Sequence, residues 1–139
     1  MWPTANKAIY VPFVVHNQMT AVKLFVQNAA TVSGNIDLGL YDAFGNRLVS
    51  SGSTAQAGTS ALQSFDVTDT LLLPGVYYMA CALNNGTGTV LGGAFTVNGI
   101  GAMGVLEQTS AFALPATATM VAPTGTFIPS IGLTARTLI

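Results

Sequence analysis

Gly34–Ser53 reads GNIDLGLYDAFGNRLVSSGS, two alternating runs about a short polar loop. Ile36, Leu38 and Leu40 fall on one side of an extended chain, with Asp37, Gly39 and Tyr41 on the other, because successive side chains of a strand point to opposite faces. Between the runs, DAFGN has turn chemistry. Asp42 can accept backbone N–H bonds, and Gly45 or Asn46 tolerates the positive φ that a short hairpin loop demands. The stretch therefore predicts a hairpin with one face turned to a core. Its polar residues Asp37, Asp42, Asn46 and Arg47 raise the question of a working site, but the pattern alone expects Asp37 and Arg47 to face water or each other.

The same grammar recurs outward from the hairpin. Segments rich in Val, Ile, Phe, Tyr and Thr alternate with Gly, Asn and Ser clusters about every 8–12 residues, the texture of a sandwich or barrel. Strands are predicted near Ala8–His16, Ala21–Gln27, Asn35–Tyr41, Arg47–Ser51, Leu62–Val67, Gly75–Leu83 and Val90–Val97, with short ones near Val105–Ser110 and Ala116–Val121. No segment has convincing helical periodicity. In LLLPGVYYMACAL, Pro74-Gly75 turns the chain into a nearly all-apolar strand, expected mid-sheet with both faces covered. Gly92-Gly93 marks a bulge or a close backbone approach. From residue 99 onward Pro115, Pro123 and Pro129 punctuate an apolar segment, which predicts short edge strands and turns. Being too apolar for a solvated linker, that segment is expected to dock on a neighbouring subunit.

At 139 residues the chain fits one domain, residues 1–139, with an N-terminal arm over 1–7. Only 6% of residues are charged while 50% are hydrophobic, and mean hydropathy is +0.56. Such a surface is poorly equipped to keep free monomers apart, so neighbours are expected to cover part of it. The uncharged run Thr70–Leu106 contains Pro74, eight glycines and paired asparagines, which a membrane-spanning helix would not tolerate. The N-terminus has no basic start followed by an apolar stretch and does not read as a signal peptide. Four basic residues, Lys7, Lys23, Arg47 and Arg136, are too few for a phosphate-binding face, so no nucleic-acid partner is expected.

Little in the chain suggests chemistry. GIGAMG at Gly99–Gly104 matches a dinucleotide fingerprint but is followed by a proline within eleven residues and by no acid after Glu107, so it is read as a glycine turn. His16 is the only histidine and Cys81 the only cysteine. A Cys81–His16 pair would need the fold to bring them together, and Cys81 sits among apolar neighbours, as a buried hydrophobe does. Asp66 and Asp69 are read as turn caps. The alternatives for the acids, a glycosidase pair or a calcium loop, lack a dense D-x-D arrangement. No catalytic residue, cofactor or metal is expected.

Ser33–Leu83, with GN-x-D-x-GLYD-x-x-G, SSGS, DVTD and L-x-PG-x-YY, resembles a jelly-roll β-sandwich segment recurring in structural proteins of tailed-bacteriophage virions. LEQTSAFALPATATMVAPTGTFIPSIGL is similar to the C-terminal part of such proteins. The resemblance implies an all-β, jelly-roll-like antiparallel sandwich of about eight strands with extended termini. It further implies a non-enzymatic virion component, made in the host cytoplasm. Decoration (cement) of the capsid is favoured over a tail or fibre, because the chain has no heptads or fibrous repeat. The expected partners are two further copies in a homotrimer and the major capsid protein or other virion proteins. Trp2, Pro3, Tyr10, Phe112, Phe127 and Ile128 are the interface candidates. The alternative is a tail module recognising host-surface glycan, which predicts exposed aromatics beside Asp or Asn in loops.

Overall fold

The computed structural model describes residues 1–136, so the last three residues of the predicted C-terminal segment lie outside the described residues. Strands hold 52% of the residues and helix 4%; the fold is an antiparallel all-β sandwich. The elements run β1 (Ala8–Val15), β2 (Met19–Gln27), β3 (Asn35–Asp42), β4 (Arg47–Ser50), β5 (Thr54–Ala55), β6 (Leu62–Leu72), β7 (Gly75–Leu83), β8 (Gly92–Ala94), α1 (Val97–Ala102), β9 (Leu106–Gln108), β10 (Phe127–Pro129) and β11 (Ile131–Arg136). The larger sheet has the order β4-β3-β7-β1-β9, with β5 beside β3, and the smaller one is β11-β2-β6. β8 and β10 form a separate pair. The number of strands exceeds eight because several are only two or three residues long.

The hairpin forms as the sequence predicts. Asp42 Oδ1 accepts from the backbone N–H groups of Phe44 and Asn46, both at 2.9 Å, and Gly45 takes φ +86°. Ile36, Leu38 and Leu40 are completely buried. They meet Leu24, Val26 and Phe65 of the smaller sheet in one cluster that also holds Ile9, Met79, Cys81 and Leu83. Each such side chain withdrawn from water stabilises the fold by roughly 1.5–3 kcal/mol. β7 lies between β3 and β1, and Met79–Leu83 are buried, as expected of a strand covered on both faces.

Some local expectations change. GIGAMG contributes to a six-residue helix rather than a glycine turn: Thr96 Oγ1 caps it by accepting from Gly99 N at 3.0 Å, and Ile100 seats it in the core. Ala116–Val121 is not a strand and makes only isolated bridges, Thr117 to Asn46 and Val121 to Glu107. Gly92 does mark a close approach, because a Cβ there would collide with the carbonyl of Ile128.

The C-terminal segment brings the largest revision. Residues 109–121 lie across the outer face of their own larger sheet, where Ala111 and Leu114 pack against Ala8, Tyr10, Tyr41, Ala80 and Ala82. A row of small side chains there lets the segment approach closely. It therefore has its docking surface within the chain, contrary to the expectation that it would need a neighbouring subunit.

Candidate functional site

The outward residues of β3 are a seat for this strap. Asp37 is 1% exposed; its Oδ2 accepts from Leu114 N at 3.0 Å and its Oδ1 from the Ser51 hydroxyl at 3.3 Å. Arg47 Nη1 donates to the Leu114 carbonyl at 2.6 Å. Both backbone groups of one strap residue are thus held by the two charges of one hairpin. Gly39, two residues from Asp37 on the same face, leaves the space that Leu114 fills, since a Cβ there would lie 2.9 Å from Leu114 Cδ1. Two residues further, the Tyr41 hydroxyl donates to Pro115 O at 2.5 Å. The expected wet face of the hairpin is dry because the strap covers it. Burial pushes the Asp37 carboxyl up, against the hydrogen bonds from Leu114 and Ser51 and the nearby Arg47 charge.

A second clasp ties the N-terminal arm to β9. Lys7 Nζ lies 3.0 Å from Glu107 Oε2, both side chains being nearly buried, and Thr124 Oγ1 donates to Glu107 Oε1 at 2.6 Å. Burial alone would raise the Glu107 carboxyl, but the hydrogen bonds from Thr124 and Lys7, with the Lys7 charge, outweigh it and hold the group below its ordinary value. The Trp2 indole N–H donates to Lys7 O at 3.1 Å, and its ring meets Phe127 edge-on at 6.0 Å. Tyr10 stacks edge-on against Tyr41 at 5.3 Å, with its phenol pushed up to about 12 by burial.

These contacts sort the interface candidates. Trp2 and Tyr10 are 1% and 0% exposed; they are core residues with no surface to offer, because the arm and the strap fold back over them. Phe112, Phe127 and Ile128 are half-buried, and Pro3 is exposed. Residues that sequence reasoning passed over are more open. Phe44 is 88% exposed at the hairpin tip, and Leu91, Phe95 and Met103 are about half exposed around an apolar groove of about 390 Å³ that Ile128 also lines. Val14 and Val76, paired across β1 and β7, are also exposed, as are Leu71 and Leu73 where β6 ends. Alternation could not reveal these positions, since an apolar residue at a turn or a strand end has no face assigned by period.

The reactive side chains stay apart. Cys81 pairs with Ile9 in mid-sheet, while His16 follows the far end of β1. At about 3.3 Å per residue, the seven residues from Ile9 to His16 put roughly 23 Å between the two positions. Burial also raises the Cys81 thiol well above its ordinary range, leaving it poor in nucleophilic thiolate. Asp66 and Asp69 do not cap turns; they sit on β6 and pair with Lys23 at 3.9 Å and with Arg136 across the outer face of the smaller sheet. Among the described residues no three His, Cys, Asp or Glu side chains gather as metal ligands, and no helix is long and apolar enough to cross a membrane. Comparison with known proteins finds no matching family model, no matching curated protein and no matching solved structure.

Proposed function

We propose that the protein is a non-enzymatic structural component of a bacteriophage particle, a decoration protein that oligomerises and stabilises the assembled shell. The observation that carries the reading is the division of its surface. Lys23, Asp66, Asp69 and Arg136, four of the nine charged residues, share the outer face of the smaller sheet. Lys7, Asp37 and Glu107 are buried. Exposed apolar side chains instead concentrate around the groove, at the hairpin tip and at the β1–β2 end. A surface so arranged suits a subunit with one wet face and several covered ones. Stabilisation then follows from mass action, because a protein that binds the assembled lattice and not free subunits favours the lattice by its binding free energy.

Glycan recognition draws on Phe44, an exposed aromatic beside Asp42 and Asn46. Those neighbours are committed to the turn, as the Asn46 side-chain amide donates to Asp42 Oδ2 at 3.1 Å and Asp42 Oδ1 takes two backbone N–H groups. The tip therefore offers little free hydrogen-bonding capacity to a sugar. Imaging of gold-labelled particles tests the choice: label on the shell is expected, and label confined to the tail, with saturable binding on a glycan array, would overturn it.

A further inference from the structure

Two Asn-Gly steps occur in the chain, Asn85-Gly86 and Asn98-Gly99, and the fold treats them in opposite ways. Asparagine before glycine is a reactive pair. Without a Cβ, glycine neither shields its amide nitrogen nor resists the backbone turn that brings this nitrogen to the asparagine side-chain carbonyl carbon. At Asn85 that approach is closed. Its Oδ1 accepts from Thr87 N at 2.9 Å and Gly88 N at 2.7 Å, and its Nδ2 donates to Ser33 O at 2.8 Å and to Asn84 Oδ1 at 2.9 Å. The amide is also packed against the turn before β3, since a Cβ on Gly34 would collide with Nδ2. Nothing comparable holds Asn98, whose side chain is exposed and makes no hydrogen bond among the described residues.

The attacking nitrogen at this second step is held by one bond. Gly99 N lies in the first turn of α1, where no helical carbonyl precedes it, and donates to Thr96 Oγ1 at 3.0 Å. α1 has six residues, two of them glycine, with no acid in its first turn and only Ile100 in the core, so little beyond that cap keeps its start closed. We propose that Asn98 is a site of spontaneous deamidation, and that the fold holds Asn85, in the same dipeptide, against it. When the start of α1 opens, hydroxide takes the Gly99 amide proton and the nitrogen adds to Asn98 Cγ. The new N–Cγ bond closes a five-membered succinimide, the Cγ–Nδ2 bond breaks, and ammonia leaves with a proton from water. Water then opens the ring at either carbonyl, giving aspartate or isoaspartate with no change of oxidation state. The added carboxylate takes the formal net charge from −1 to −2. It arises on the helix that runs between Phe95 and Met103, both of which line the apolar groove. Isoaspartate also lengthens the backbone by one methylene ahead of Gly99, displacing the N–H that Thr96 caps. Neither the site nor its chemistry depends on the decoration reading.

Incubation of the full native chain in mildly alkaline buffer tests this, with deamidation at each step followed by peptide mapping and isoaspartate read by isoaspartyl methyltransferase labelling. Asn98 is expected to react at least about tenfold faster than Asn85, because four hydrogen bonds must open at Asn85 and one at Gly99. In denaturant the two rates should converge, since the same dipeptide then lacks both restraints. Thr96→Ala removes the cap and should speed the reaction at Asn98 several-fold while leaving Asn85 unchanged. Thr96→Ser keeps a capping hydroxyl and should leave both rates near wild type. Equal rates in the native protein, or faster reaction at Asn85, would overturn the proposal. A difference that persists in denaturant would do the same, since the fold would not be its cause, and so would a Thr96→Ala variant that reacts at the wild-type rate.

Discussion

Asp37 and Glu107 are buried acids with opposite pH signatures. Asp37 titrates above its ordinary 3.8 in the fold, so it contributes stability that is present below that value and is lost as pH rises through the folded pKa. Asp37→Asn keeps an acceptor for Leu114 N without the buried charge. Its melting temperature relative to wild type is expected to rise as pH goes from about 3 to 7, and a calorimetric difference that stays flat would refute this. Glu107 titrates below its ordinary 4.5, so its contribution is present above that value and is lost as pH falls through the folded pKa. Lys7→Met strands the buried carboxylate beside Thr124 alone. Breaking such a pair typically costs about 3–5 kcal/mol, measurable by urea unfolding at neutral pH.

At the scale of elements, the strap depends on a few precise fittings. Leu114 is 2% exposed and fills the space above Gly39, so Leu114→Ala is expected to cost about 2–5 kcal/mol. The same variant should speed proteolytic cleavage within residues 109–121 before global unfolding; unchanged cleavage would mean that the polar latch alone holds the strap. Gly45 joins both systems, with φ +86° and an added Cβ 3.0 Å from Ala118 O. Gly45→Ala should therefore destabilise by about 1–2 kcal/mol from the left-handed backbone alone, with further loss from crowding the strap, as read by chemical denaturation.

Across the whole molecule, one closed core and one covered outer face leave the only cysteine without access to solvent. Labelling of Cys81 by a thiol reagent is expected to follow global unfolding, with no fast native phase. Substantial labelling under native conditions would mean that the sandwich opens locally around β7. The exposed apolar residues belong to this scale as well. Phe44→Ser should leave stability nearly unchanged, since the side chain is 88% exposed, while altering association if the hairpin tip meets a partner.

The β class, the hairpin and its turn, and the buried inner residues Ile36, Leu38 and Leu40 were legible in the sequence by itself. Side-chain alternation and turn chemistry act over a few residues and need no distant contact. Period two says that Asp37, Gly39 and Tyr41 share a face, but not what covers that face. Only the tertiary structure decided that the covering comes from residues some seventy positions away, converting an apparent wet face into a strap seat. It likewise placed Trp2 and Tyr10 in the core and separated His16 from Cys81. Each of these depends on which distant segment claims a given surface, and local pattern carries no record of that competition.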